Sequence, residues 1–208
     1  MTRAPEDPSR ALLVLASASP RRAEILRSLG LPFAVRPVDV SEDLRPGEGA
    51  EAAAARLAAD KAAAGAVRDP GAWILAADTL VFLESDEAPL GKPQDDAEAA
   101  AMLRRLAGRE HGVVTAVTLR RGDTALALAE ISRVRFAPLS EDEIAWYVAT
   151  GEPRDKAGAY GVQGLGARFI EEIRGSFTNV MGLPARGVYR LLRDAPDPAL
   201  ALLALASG

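Results

Sequence analysis

The chain has 208 residues, of which 49% are apolar and 26% charged, with a net charge of -4 and no cysteine. This composition is typical of a globular protein with a substantial core, and the acidic balance argues against a general nucleic-acid binder. The absence of cysteine excludes disulfides, thiolate metal sites and a cysteine nucleophile. No segment approaches the roughly 18 apolar residues of a membrane span, and the polar first ten residues do not resemble a signal peptide. We therefore expect a cytoplasmic protein with neither a membrane nor a nucleic-acid partner.

The first half of the chain alternates predicted strands and helices, the pattern of a mixed α/β fold. In chain order we predict a strand over 12–16, a helix that begins at Pro20, a strand over 33–38, a loop over 39–49, a helix over 51–66, a buried strand over 73–83, and a helix that Asp95 or Asp96 caps and that runs to 107.

The second half predicts antiparallel strands. We expect a hairpin of strands 113–120 and 126–136, a helix opened by a capping box of Ser140 and Glu143, a structured loop over 151–166 with five glycines, a strand over 169–173 and a helix over 184–193. No linker divides the chain. We predict a single catalytic domain over 11–195, a disordered N-terminal tail over 1–10, and a C-terminal tail or short helix over 196–208.

The junction between the first strand and the first helix predicts an anion site. Ser19 has the chemistry of a helix N-cap, and Pro20 suits the first helical position. Arg21 and Arg22 follow in the first turn, where the partial positive charge of the helix disfavours cations. Two guanidinium groups beside unpaired backbone N–H groups favour a bound phosphate. The alternative is a pair of solvated arginines, partly offset by Glu24.

Two acidic residues are candidates for chemistry. Asp78 interrupts an apolar strand, and a buried carboxylate must be paired, protonated or bound to metal. It is a candidate base, unless it caps a turn where the strand leaves the core. Glu42 lies in the loop after the second strand and could join Asp78 in holding Mg²⁺, which takes oxygen ligands. The alternative for Glu42 is a solvated loop carboxylate beside Asp39 and Asp43.

Lysine is rare in this chain. Lys61, Lys92 and Lys156 are the only lysines among 25 basic residues, which suggests that lysine is kept where a compact, flexible ammonium group is needed. The alternative is the chance survival of a few lysines in a chain with a strong arginine bias. Lys92 stands between glycine and proline on a stiff loop from which it can reach a phosphate. Lys156 follows Asp155 and could equally form an exposed ion pair.

The glycine-dense segment over 158–166 matches neither the P-loop nor the dinucleotide-binding fingerprint. Gln163 within it could recognise a base edge through its paired donor and acceptor. His111 is the only histidine, which excludes a multi-histidine zinc site. It lies in a predicted turn, and we interpret it as structural.

Five short motifs together closely resemble the Maf family of nucleoside triphosphate pyrophosphatases. They occur in the family's order from about residue 12 to residue 192: SASPRR at 17–22, ADT at 77–79, GKP at 91–93, DKAGAYGVQG at 155–164 and NVMGLP at 179–184. The resemblance implies an elongated α/β fold with a mixed sheet, similar to inosine triphosphate pyrophosphatase, and a cleft between two lobes. It also implies cleavage of a nucleoside triphosphate to the monophosphate and pyrophosphate, with Mg²⁺ or Mn²⁺ as the divalent metal.

The resemblance implies a role for each matching position. Asp78 matches the proton acceptor, and Glu42 and Asp78 would be the metal ligands. The loop with Tyr160 and Gln163 is similar to that of the branch acting on dTTP and UTP. The substrate-binding set is Ser19, Arg21, Arg22, Lys61, Thr79, Lys92, Lys156 and Gln163, of which Arg21, Thr79 and Gln163 are associated with substrate choice.

The chain departs from the family pattern in one place. The family often has two acidic residues in the second loop, whereas Ser41 precedes Glu42 here, so Asp39 or Asp43 would have to supply a second carboxylate. Two other functions stay open at this stage: a nucleotide-binding regulator of septum formation without turnover, and a phosphatase of sugar phosphates. A homodimer is compatible with the sequence.

Overall fold

The computed structural model describes residues 11–86 and 88–205 and contains a six-stranded sheet flanked by helices. The strands are β1 (Leu13–Leu15), β2 (Ala34–Val35), β3 (Trp73–Phe82), β4 (Glu110–Arg121), β5 (Thr124–Phe136) and β6 (Ile170–Arg174). The helices are α1 (Pro20–Ser28), α2 (Ala50–Arg68), α3 (Asp96–Leu106), α4 (Glu141–Ala149), α5 (Phe177–Met181), α6 (Ala185–Asp194) and α7 (Pro198–Leu205).

The strand order β2-β1-β3-β4-β5-β6 combines two kinds of pairing. β1 lies parallel to both β2 and β3, whereas β3, β4, β5 and β6 pair antiparallel in succession. The predicted mixed α/β fold is therefore confirmed. α7 begins in the segment expected to be a tail or short helix, and the predicted disordered tail over 1–10 lies outside the described residues. The domain limits of 11–195 stay a prediction.

Local chemistry accounts for the ends of several elements. Asp95, rather than Asp96, caps α3 by accepting a hydrogen bond from the backbone N–H of Glu98, and the capping box of Ser140 and Glu143 is present. β2 is only two residues long, and the strand with which it pairs, β1, has only three. The sequence does not predict the helix α5, since five residues are too few to show a helical period. No helix among the described residues is long and apolar enough to cross a bilayer.

Four hydrophobic clusters lie among the described residues, and two of them, called here the first and the second core, pack opposite ends of β3. The first packs Trp73, Leu75 and Ala77, at the beginning of β3, against α1 and α6. The second packs Val81, near the end of β3, and Leu83, just beyond it, against α3 and α4. Asp78 and Thr79 lie on β3 between the residues of the first core and those of the second. A cleft between two lobes is expected at such a boundary between cores.

Candidate active site

The candidate site lies where the ladder between β1 and β3 ends. β1 has three residues and β3 has ten, and Leu15 pairs with Leu75 in the last register pair. Asp78 and Thr79 lie on β3 beyond the end of β1. Because successive side chains of a strand point to opposite faces of the sheet, these two side chains point to different faces. Loops that leave the carboxyl ends of parallel strands also meet here, a common location for ligands in α/β proteins.

A cavity of about 760 Å³ occupies this opening, a volume suited to a small-molecule ligand. Every residue that the sequence predicts for the site lines it, although these residues come from widely separated segments. They are Ser19, Arg21, Arg22, Glu42, Lys61, Asp78, Thr79, Lys92, Lys156 and Gln163.

Lys61, on α2, links two acidic residues of the cavity. Its Nζ donates to Oε1 of Glu42 at 2.5 Å and to Oδ1 of Asp78 at 2.6 Å, and Nζ of Lys92 donates to Oε2 of Glu42 at 2.7 Å. Burial raises the pKa of Glu42, but the hydrogen bonds from both lysines outweigh burial and bring this pKa to about 2. Glu42 is therefore ionised at neutral pH. Asp78 is 6% exposed and paired in mid-strand, so the alternative of a turn cap is wrong.

Arg22 is a partly buried cation that holds three segments together. Its Nε donates to the carbonyl of Gly182 at 2.8 Å, Nη1 to Oγ of Ser17 at 3.3 Å and Nη2 to Oγ1 of Thr79 at 3.1 Å. Burial lowers the pKa of Arg22, and the carboxylate of Asp78 opposes that effect. Each of these bonds goes to a neutral oxygen, so the guanidinium would gain from an anion in the cavity. The alternative of a solvated arginine is wrong for this residue.

Arg21 connects α1 to the predicted structured loop over 151–166. Its Nη1 donates to Oδ2 of Asp155 at 3.1 Å, while Oδ1 of the same carboxylate accepts from Nζ of Lys156 at 2.6 Å. Lys156 also donates to the carbonyl of Glu152 at 2.6 Å, and its side chain is only 13% exposed. The carboxylate of Asp155 thus pairs with two of the predicted substrate-binding cations. The side chain of Lys156 is too buried for this contact to be an exposed ion pair on its side.

The predicted structured loop forms three 3₁₀ turns, over Glu152–Asp155, Ala157–Ala159 and Leu165–Phe169. Gln163 lies between the second and third turns, is exposed, and lines the cavity.

The expectation that His111 lies in a turn is wrong. It is part of β4 and 1% exposed, because its imidazole packs edge-on against Phe136 and Tyr160 in the second core. The Tyr160 hydroxyl lies 2.8 Å from Nε2 of His111. Burial lowers the pKa of His111 to about 4, so the ring is neutral at pH 7.

Sequence reasoning misses two contributors to the site. Ser19 occupies the N-cap position of α1, but its side chain makes no capping hydrogen bond. The serine whose side chain forms hydrogen bonds at this junction is Ser17, because its Oγ accepts from the backbone N–H of Ser19 and from Nη1 of Arg22. Gly182 supplies a carbonyl to Arg22 from αL backbone, at a φ of 111°. Ser17 and Gly182 both belong to motifs that resemble the Maf family, SASPRR at 17–22 and NVMGLP at 179–184. The motifs therefore include both residues, but the sequence alone does not show what either residue contacts.

The carboxylates of the cavity do not form a larger cluster. Within 11–86 and 88–205, no group of three or more histidine, aspartate or glutamate side chains is placed to hold a metal ion. Asp43 bonds Oγ of Ser41 at 2.7 Å in the exposed loop, and Asp39 is exposed. Glu42 and Asp78 are brought together by the Nζ of Lys61 that they share.

The fold is that of a mixed α/β protein, and its site is a cavity lined by paired cationic and acidic side chains. The chain belongs to the Maf family, since the family model described as Maf-like protein matches residues 12–195.

Curated relatives cover nearly the whole chain. A dTTP/UTP pyrophosphatase of Symbiobacterium thermophilum is 51% identical over 186 residues, which make up 89% of this chain and 95% of that protein. A dTTP/UTP pyrophosphatase of Methylococcus capsulatus is 52% identical, over 87% of this chain and 89% of that protein. Among solved structures, a HAM1 protein from Coxiella burnetii is similar at a TM-score of 0.47 and 19% identity, covering 93% of this chain and 96% of that chain.

Proposed function

We propose that this protein is a nucleoside triphosphate pyrophosphatase that hydrolyses dTTP and UTP to the monophosphate and pyrophosphate. Membership of the Maf family and about 50% identity to dTTP/UTP pyrophosphatases support the reaction. The observation that carries the proposal is a single cavity lined both by Asp78 and by all five of the predicted substrate-binding cations.

In this proposal the cations bind the triphosphate. Cleavage between the α- and β-phosphates moves negative charge onto the leaving pyrophosphate, and fixed cations stabilise that charge. Arg22 is held in place by three neutral oxygens and keeps its positive charge available. The other four cations are paired with carboxylates of the site, which the phosphate oxygens would replace or share. They are Arg21, Lys61, Lys92 and Lys156.

Asp78 is the proposed general base. Lys61 binds its Oδ1 and fixes the carboxylate in the cleft. We assign the second carboxylate oxygen to accept a proton from the attacking water. Thr79, next on the strand, holds Nη2 of Arg22 and so fixes that cation relative to the base.

The donor set fits a divalent cation of the Mg²⁺ or Mn²⁺ type. Mg²⁺ is usually bound by one or two carboxylates together with substrate phosphates, and not by a cage of protein ligands. The carboxylates of Glu42 and Asp78 both accept a hydrogen bond from Nζ of Lys61, so they lie close together. These are the two residues that would hold the ion. When bound, the cation would neutralise phosphate charge and activate water.

Base choice is assigned to Gln163, with Arg21 and Thr79 as the other candidates. The Gln163 amide offers one acceptor and two donors at the cavity wall, as recognition of a pyrimidine edge requires. Ser19 contributes backbone at the amino end of α1, where N–H groups favour anions. A cytoplasmic location belongs to the same proposal, because nucleoside triphosphates are made and consumed there.

The test is an assay of the purified protein with dTTP, UTP, CTP and GTP, each with Mg²⁺, with Mn²⁺ and with a chelator. We expect pyrophosphate and the monophosphate as products, a preference for dTTP and UTP, and loss of turnover with the chelator. Nucleotide binding without product would favour the regulator. Release of orthophosphate with no base preference would favour a phosphatase.

A further inference from the structure

The backbone of residues 158–166, called here the glycine-rich loop, folds around the carboxylate of Glu152 and donates hydrogen bonds to it. Oε2 accepts the N–H of Leu165 at 2.8 Å, and Oε1 accepts the N–H of Gly166 at 3.1 Å. Oε1 also accepts the hydroxyl proton of Tyr147 at 2.7 Å. A single side chain that precedes the loop therefore holds its far end, thirteen and fourteen residues later.

Tyr147 holds the near end of the same loop. Its ring is fully buried in the second core, and its hydroxyl oxygen accepts the N–H of Gly161 at 3.0 Å. The loop from Gly161 to Gly166 is thus fixed at both ends by Tyr147 and Glu152, which bond each other. Gln163 lies between these two attachment points.

The glycines of this segment are explained by the same arrangement. A Cβ at Gly164 would lie 2.5 Å from both carboxylate oxygens of Glu152, and a Cβ at Gly166 would lie 2.6 Å from the Tyr147 hydroxyl. A Cβ at Gly161 would lie 3.0 Å from Oε1 of Glu152. A side chain at Gly164 or Gly166 would therefore force Glu152 or Tyr147 to move from the positions in which they bind the loop.

The attachment depends on the carboxylate being ionised. Burial raises the pKa of Glu152, but hydrogen bonds from Leu165, Tyr147 and Gly166 and the charge of Lys156 lower it further than burial raises it. An ionised carboxylate only accepts hydrogen bonds, which suits three donors that converge on it. Glutamine at this position would turn an NH₂ group toward one of those donors.

We propose that Glu152, together with Tyr147, is a positioning residue that sets the place of Gln163 and thereby the base preference of the enzyme. This inference rests on the proposed function. Glu152 acts through the loop and needs no contact with substrate. Its replacement should therefore affect recognition of the base and leave recognition of the phosphates intact.

The test compares Glu152→Gln with Glu171→Gln, a matched loss of an exposed charge on β6 whose side chain is 48% exposed. We expect Glu152→Gln to lower the ratio of kcat/KM for dTTP to that for GTP by about five- to ten-fold, as expected for loss of one hydrogen bond. Inhibition by inorganic tripolyphosphate, which has no base, should change by less than about two-fold. Tyr147→Phe, which keeps the ring, should shift the ratio in the same direction.

A double variant separates positioning from a merely structural role. If Glu152 acts through Gln163, adding Glu152→Gln to Gln163→Ala should not lower the dTTP-to-GTP ratio further. An unchanged ratio in Glu152→Gln, or an equal loss of tripolyphosphate binding, would overturn the inference.

Hydrogen exchange keeps the inference testable if the wild-type protein releases no pyrophosphate. The amides of 161–166 should exchange at least about ten-fold faster in Glu152→Gln, whereas those of β3 should not change. Unchanged exchange in the loop would overturn the positioning role, independently of the proposed function.

Discussion

Nζ of Lys61 lies 2.6 Å from Oδ1 of Asp78, and both side chains are 9% exposed. A buried lysine and a buried aspartate are each costly alone, so each fixes the other in the cleft. Glu42 supplies a second carboxylate to the same ammonium group. The lysine therefore keeps one anionic partner when Asp78 is neutralised, which allows Asp78 to be tested without leaving an unpaired buried charge.

We expect Asp78→Asn to lower kcat for dTTP by about 10²- to 10⁴-fold, the usual contribution of a general base. The protein should stay folded, because the amide oxygen of the replacement side chain would still accept a hydrogen bond from Lys61 and Lys61 would keep Glu42. Pyrophosphate release and the circular-dichroism melting curve measure the two effects. Asp123→Asn, an exposed change in the hairpin turn, is the control and should retain activity. Near-normal turnover in Asp78→Asn would remove this residue from the mechanism.

The fold class is predictable from the sequence because strand and helix patterns are local signals, whereas the membership of the site is predicted mainly from the resemblance carried by five short motifs in order. The apolar run of β3 with Asp78 inside it, and the strand-to-helix junction with Arg21 and Arg22, are readable from residue order alone. The pairing of these groups is not readable. Nothing local indicates that Lys61 joins Glu42 to Asp78, or that distant backbone holds Arg22, because those contacts span up to 160 residues of chain.

His111 shows a second reason for failure. Arginine, glutamate and glycine around it are typical of a turn, yet β4 begins at Glu110 and the imidazole is buried against two aromatic rings. Tertiary packing overrides local propensity at this position. The loop over 151–166 is predicted as structured from its glycines, but they do not indicate the cause, because Tyr147 belongs to α4 and Glu152 binds backbone thirteen and fourteen residues away.

Gln163→Ala tests base recognition. We expect the ratio of kcat/KM for dTTP to that for GTP to fall about ten-fold or more, because a hydrogen-bonding group of the site is lost. Turnover of the less favoured triphosphates should change little, since the cationic part of the cavity is untouched. The assay is pyrophosphate release with both substrates. Gln94→Ala, another glutamine that lines the cavity, is the matched comparison. An unchanged ratio in Gln163→Ala would contradict the assignment.

Asp155 accepts hydrogen bonds from both Arg21 and Lys156, two of the cations proposed to bind the triphosphate, so we expect it to compete with substrate for them. We expect Asp155→Asn to lower KM for dTTP by about two- to five-fold at low salt. The effect should disappear at high ionic strength, because the Asp155 carboxylate is 62% exposed and screened by water and ions. Asp194→Asn, which breaks an exposed pair with Arg193, is the control. A rise in KM would mean that Asp155 orients these cations and does not compete for them.

The buried His111 makes folding stability depend on pH. Its pKa of about 4 in the folded protein lies below its ordinary value of about 6.5. The unfolded chain therefore takes up a proton more readily, so the stability associated with neutral His111 is fully present above about pH 6.5 and is lost as pH falls toward 4. The loss is at most about 3 kcal/mol.

Urea denaturation of the wild type and of His111→Phe at several pH values between about 4 and 7 measures this effect. His111→Phe leaves the Tyr160 hydroxyl without its partner and should be less stable at neutral pH, but its stability should fall less steeply as the pH is lowered. The carboxylates that also titrate in this range are common to both proteins, so the difference in slope isolates His111. Parallel curves for the two proteins would show that the imidazole takes up its proton as readily in the folded state as in the unfolded chain.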